Sequence, residues 1–279
     1  KIAIADLLAT YVNTVWDTYG EQTGSTLLIA TLLFVFQMFA DFSGYSDIAI
    51  GVGKLMGFRI TQNFNSPLFA QNIADFWRKW HISLTQWLTD YVFMPLNIRW
   101  REWGNWGMIL AILITFELIG LWHGSDWSFA LFGLYHGLLY IPLILSGAMF
   151  QKIKIKTNIW GFPSIKVLGN MILTFALVAI SFILFKADTI GDAVKYFWGM
   201  CNSSLFSIPY VYKREFYFPA IAGIIFMLIF EWNGKNDEFA IQKILSKWNP
   251  LFRYIFYFFL IFVICLLWGK DQIFIYFQF

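Results

Sequence analysis

Charge is what this chain has least of. Of its 279 residues only 13% are Asp, Glu, Lys or Arg, about half the share of a soluble domain. A water-soluble protein of this size needs a charged shell, and the residues for one are missing. Cysteine is scarce: Cys201 and Cys265 are the only two. They show neither metal-ligand spacing nor a disulfide framework, and Cys265 lies inside an apolar run. No G-x-S-x-G elbow, P-loop, H-E-x-x-H helix or glycine-rich dinucleotide loop occurs. The three histidines, His81, His123 and His136, are too widely separated to form a metal motif, so no metal is expected. Net charge is only +3 and scattered, which gives no basis for a nucleic-acid partner. No cleavable signal peptide opens the sequence, because Asp6, Asn13, Asp17 and Tyr19 interrupt residues 1–20.

What is present is apolar. Hydrophobic residues make up 59% of the chain, with 32 Phe and 14 Trp. Several runs approach the roughly 20 residues that cross a bilayer as helix. The alternating pattern of a membrane β-barrel is absent. The class is an all-α, polytopic membrane protein. Spans are expected over residues 107–122, 128–150, 165–185, 216–232 and 251–269. Residues 25–57 are longer than a hydrocarbon core, and Asp41, Ser43, Tyr45, Ser46 and Asp47 interrupt them. A tilted or broken helix is expected there, with its DFSGYSD segment facing protein or water. Gly44, Gly51, Gly53 and Gly57 would permit close helix contact. Residues 1–24 read as an interfacial helix or the tail of a further span.

Residues 58–105 are not a span. Within them, residues 73–92 have helical spacing, with Phe76, Trp80, Leu84, Trp87 and Leu88 on one face and Pro95 ending the run. A basic, Trp-rich helix of this kind lies in the interface or re-enters the membrane where protein shields it. KIKIK, residues 152–156, is a basic juxtamembrane loop, and residues 186–214 form a polar connector. With residues 58–105, 151–164 and 233–250 on the cytoplasmic side, that side holds 11 Lys and Arg against 5 on the other. The positive-inside rule favours this orientation and puts His123 towards the outer face.

An imidazole at membrane depth is costly without partners, so these histidines are candidates for function. His123 sits in GLWHGSDW at the end of a span, between Gly120 and Gly124. It can pass a proton between an attacking hydroxyl and a leaving group near working pH, or simply hydrogen-bond a neighbouring helix. His81, in RKWHISL, reads either as a headgroup-solvated histidine or as part of a site with Arg78, Lys79, Asp90 and Tyr91. His136 follows His123 by thirteen residues, about 20 Å of helix, and reads as structural. Asp126 either orients the His123 ring or caps the next helix, and capping is favoured. Asp41, Asp47 and Glu117 either hydrogen-bond within the bundle or mark a proton or ion path.

FADFSGYSDIAIGVGKLMGF, NFNSPLFAQNIADFWRKWHISLTQWLTDYVFMPL, GLWHGSDWSFALFGLYHG, SFILFKADTIGDAVKYF and the terminal FIYFQF together resemble the membrane-bound O-acyltransferase family. The alginate O-acetyltransferase branch is the most similar, and the teichoic acid D-alanyltransferase is a more distant relative. The resemblance implies a single membrane domain over residues 1–279, built as a ring of tilted helices around a central tunnel. Family members are typically longer, so N-terminal helices of the full fold are expected to be missing. It implies that His123 is the family's catalytic histidine and His81 its second functional one. It implies a cytoplasmic acyl thioester donor, acetyl-CoA above all, with no bound cofactor, and an exopolysaccharide or cell-envelope acceptor. A multi-pass location in the inner, cytoplasmic membrane and an extracytoplasmic SGNH-type transfer partner follow from the same resemblance. Where the family often has W-L-R-D-Y, this chain has Thr89 in place of the arginine. Two other classes compete: a transporter working through Asp41, Asp47 and Glu117, and a non-catalytic scaffold for a secreted partner.

Overall fold

In the computed structural model, apolar runs and polar breaks translate into helices and short joints. The structure describes residues 1–159, 161–210, 214–235, 241 and 245–266. The terminal FIYFQF lies outside the described residues. Among the described residues there is no strand, only a single bridge between Thr157 and Pro163. Eleven helices are named here, α1 Ile2–Asp17, α2 Gly24–Leu55, α3 Ile73–Trp77, α4 Ile82–Leu88, α5 Met94–Arg99, α6 Asn105–His123, α7 Trp127–Leu145, α8 Ile165–Lys186, α9 Ile190–Met200, α10 Arg214–Gly234 and α11 Pro250–Leu266. Helices α2, α6, α7 and α8 are long and apolar enough to cross a membrane. The chain divides into two compact units, one of residues 1–66 with 202–279, the other of residues 67–201.

In the first unit, α1 packs on α2 through Ala5, Leu8, Ala9, Val12 and Val15, all buried. Helix α2 is continuous over 32 residues, about 48 Å at the usual rise. It is not broken, although its polar residues do turn inward: Asp41, Ser43 and Ser46 are buried. Asp47 pairs with Lys1 at 3.0 Å, and the same ammonium reaches Glu231 on α10 at 3.1 Å. Ser66 donates to that carboxylate at 2.9 Å. The close helix contact expected at Gly51, Gly53 and Gly57 is not made. A Cβ on Gly53 would meet the Ile60 side chain and the Phe58 carbonyl oxygen, neither on another helix, and Gly51 and Gly57 face open space.

In the second unit, α6 and α7 form an antiparallel hairpin across residues 124–126. Glycines set how close they come. A Cβ on Gly120 would lie 2.2 Å from the Phe129 carbonyl oxygen, and one on Gly133 would lie 2.3 Å from that of Phe116. Helix α8 packs on α7 and carries α9 at its end. Helix α9 falls in the connector read as polar. Its start was legible, because Thr189 caps the Asp192 N–H at 3.1 Å, the first half of a capping box.

The helix expected over residues 73–92 is interrupted. It divides into α3 and α4, then continues through a wide π-type turn, Thr89–Phe93, into α5. Pro95 does not end it. That residue sits in α5 directly after the π-type turn.

Candidate functional site

The site is built in the second unit from the ends of two short elements. Asn72 caps α3 by accepting the Asp75 N–H at 2.7 Å. One turn later the Trp77 side chain is fully enclosed, its ring 5.2 Å from that of Phe116 and 5.0 Å from His136. Residues 116 and 136 are well inside α6 and α7, so this segment re-enters the helical layer rather than lying on its surface. Phe76 and Trp80 stack at 5.4 Å, and Trp80 meets Phe182 of α8. These buried aromatics fix the N-terminal side of a joint, and His81 occupies it with φ of 47° and ψ of 52°. The left-handed region costs a non-glycine residue roughly 1–2 kcal/mol. Helix α4 starts immediately afterwards, with the His81 carbonyl accepting the Thr85 N–H at 3.0 Å.

The joint delivers the His81 ring to Trp122, at 5.7 Å between centroids. His123 follows Trp122 as the last residue of α6, and its ring lies 4.9 Å from the same indole. Phe185 of α8, at 4.9 Å, and Phe132 of α7, at 6.2 Å, complete the surroundings of His123. Two imidazoles thus share one indole and an otherwise aromatic environment. His81 is buried, and this desolvation pushes its pKa down to about 4. The ring is therefore neutral at physiological pH, able to accept a proton at one nitrogen and donate at the other.

His136 belongs to a different arrangement. The Trp77 indole N–H donates to its Nδ1 at 3.2 Å, so the ring proton resides on Nε2. Nε2 then donates to Ser181 Oγ at 2.9 Å, and that hydroxyl donates to the Val178 carbonyl at 2.7 Å. Both nitrogens are occupied in tying α3, α7 and α8 together, in keeping with the structural reading of this residue.

The remaining candidates are not gathered around the two imidazoles. Asp90 is exposed and accepts both short bonds from Gln86, at 2.8 and 2.9 Å. Tyr91 is exposed and leans on Trp87 at 5.2 Å. Thr89 donates to the Thr85 carbonyl at 2.7 Å. Asp126 occupies the cap position of α7 without a side-chain cap, and only its carbonyl accepts, from Phe129 and Ala130. The capping role expected of its carboxylate is therefore not seen. Arg78 reaches away from the site, donating to the carbonyls of Met149 at 2.9 Å and Gln151 at 3.2 Å. Glu117 is partly buried on α6, in a different unit from Asp41 and Asp47. Sequence reasoning overlooked Trp122, which meets both rings, and Phe185, which sits against His123. Trp122 stood inside the GLWHGSDW motif and Phe185 inside SFILFKADTIGDAVKYF, but nothing singled either out from the other aromatics.

Comparison with known proteins places this geometry in a family. The sequence matches the membrane-bound O-acyltransferase family over residues 4–185. The probable alginate O-acetylase AlgI of Pseudomonas aeruginosa is 35% identical over 204 residues, 72% of this chain and 36% of the relative. A Helicobacter pylori peptidoglycan O-acetyltransferase is 29% identical over 270 residues, 89% of this chain and 48% of its own length. The Bacillus subtilis teichoic acid D-alanyltransferase is 32% identical over 170 residues, 57% of this chain and 42% of that protein. The chain thus spans between about a third and a half of the length of these curated relatives. The family match covers well over half of the chain and includes both His81 and His123, and the protein belongs to the membrane-bound O-acyltransferase family.

Proposed function

We propose that the protein acts as a membrane O-acyltransferase of the bacterial envelope, moving an acyl group, most simply acetyl, from a cytoplasmic thioester to a polysaccharide hydroxyl. Its place would be the inner membrane. The observation that carries this reading is the pairing of His81 and His123 against Trp122, at 5.7 and 4.9 Å, where an apolar helix ends. The relatives, an alginate O-acetylase and a peptidoglycan O-acetyltransferase among them, point to the same chemistry.

In this reading the neutral imidazole of His123 takes the proton of the acceptor hydroxyl as its oxygen attacks the thioester carbonyl. A C–O bond forms and the C–S bond breaks. The imidazolium returns its proton to the leaving thiolate, so the products are an ester and a free thiol, with no net proton change. His81, held neutral by burial, has a ring N–H with which to meet negative charge on the carbonyl oxygen. Phe132 and Phe185, both buried, limit the water that could reach the His123 ring from the α7 and α8 side and hydrolyse the thioester. With acetyl-CoA as donor, an extracytoplasmic SGNH-type protein is the natural next carrier before the polymer.

Mass spectrometry of envelope glycans from a deletion strain carrying wild type or His123→Gln tests the proposal. Loss of a general base lowers rate by roughly 10²–10⁴-fold, so O-acetyl content should fall to the deletion level while the variant still inserts. Wild-type acetylation in that strain would remove His123 from the chemistry.

A further inference from the structure

The loop between α7 and α8 carries a charge pattern that the proposed chemistry does not use. From residue 127 to residue 187 the sequence contains no Asp or Glu. In the middle of that stretch stand Lys152, Lys154 and Lys156, all exposed, alternating with the less exposed Ile153 and Ile155. Exposure alternates along the run, and the three lysines hold the exposed positions. None of the three, nor Arg78, takes part in the ion pairs found among the described residues. Among the described residues, nothing neutralises their positive charge.

The same loop displays large apolar side chains. Phe150 is 64% exposed, Ile159 94%, Phe162 67%, and Ile165, at the start of α8, 90%. Exposed lysines with bulky apolar groups between two spans are the composition of a segment lying in a bilayer surface. A soluble phosphate ligand would need the cations but has no use for the exposed Phe and Ile.

We propose that residues 149–159 and 161–165 form a binding surface for anionic phospholipid headgroups, with the lysines on the phosphates and the apolar side chains at the acyl boundary. Arg78 connects this surface to the segment that carries His81. Its guanidinium fixes the carbonyls of Met149 and Gln151, and it precedes His81 by three residues. The inference does not rest on the acyl-transfer reading.

The test uses the full chain in nanodiscs, with spin-labelled phosphatidylglycerol and spin-labelled phosphatidylcholine as probes. Electron paramagnetic resonance reads the fraction of each lipid immobilised by the protein. Wild type should hold phosphatidylglycerol preferentially, and added salt should weaken the preference. A lysine near an anionic surface is worth roughly fivefold in affinity, so Lys152→Gln, Lys154→Gln and Lys156→Gln together should reduce the preference on the order of a hundredfold. The corresponding triple Lys→Arg variant should retain it, which separates charge from any defect in folding. An unchanged preference in the Gln variant would overturn the proposal. So would displacement of the lipid by soluble adenosine 3′,5′-bisphosphate, which would assign the cations to a nucleotide instead.

Discussion

At position 81 two local costs coincide. The backbone is left-handed and the ring is out of water, and neither is needed merely to turn the chain, since a glycine would turn it more cheaply. The pKa of about 4 has a consequence for stability. An unfolded histidine titrates near 6.5, so between pH 6.5 and 4 the unfolded chain binds the extra proton. Stability should therefore be level above pH 6.5 with respect to this group and fall as pH drops towards 4. Thermal unfolding in detergent across that range should show the slope in wild type and a smaller one in His81→Gln. Histidine-selective nitrogen NMR should show the His81 ring neutral at pH 5.5. A ring that titrates near 6.5 would mean that it is solvated.

The hairpin of α6 and α7 decides how the two imidazoles are presented, and its spacing depends on glycine. A methyl group on Gly120 would fall 2.2 Å from a backbone oxygen of α7, which cannot rotate away. Gly120→Ala should therefore destabilise the protein by about 1–3 kcal/mol, read from a detergent or denaturant melt. Gly51→Ala is the contrast: nothing lies within 4 Å of that position, and alanine in a helix interior is favoured by roughly 0.5–1 kcal/mol. Equal effects of the two substitutions would show that the hairpin is not packed through its glycines. This contrast also marks how far the sequence could be read. The α6, α7 and α8 spans were legible within a few residues because apolar runs of bilayer length have few other uses. The glycines that matter were not separable from those that do not, since GxxxG-like spacing in α2 looked at least as good. The break at His81 was equally hidden. The 3.6-residue period continues through it, and only the long-range contacts of Trp77 with His136 and of Trp80 with Phe182 explain why the helix stops.

For the molecule as a whole, the consequence of three successive spans is a fixed alternation of sides. Within residues 67–201, helix α6 ends at His123, α7 crosses back over 19 residues, and α8 begins at Ile165. Nineteen residues rise about 28 Å, close to one hydrocarbon thickness. The short link at 124–126 and the lysine loop must then face opposite aqueous compartments. Arg78 contacts the loop side, whereas His81, three residues on, reaches Trp122 next to the link. The re-entrant segment thus contacts the loop side through Arg78 and Trp122 through His81. We propose, on the positive-inside rule, that the lysine loop faces the cytoplasm. In a variant with Cys201 and Cys265 replaced by serine, a membrane-impermeant maleimide should label Ser125→Cys in intact bacterial cells. It should label Lys154→Cys only after the membrane is opened. Both positions are exposed in the fold, so failure to react would reflect the membrane and not burial. Labelling of Lys154→Cys from outside, with Ser125→Cys protected, would invert the orientation. The histidine pair would then open towards the compartment that holds the thioester, and delivery to an outer polymer would have to proceed by another route.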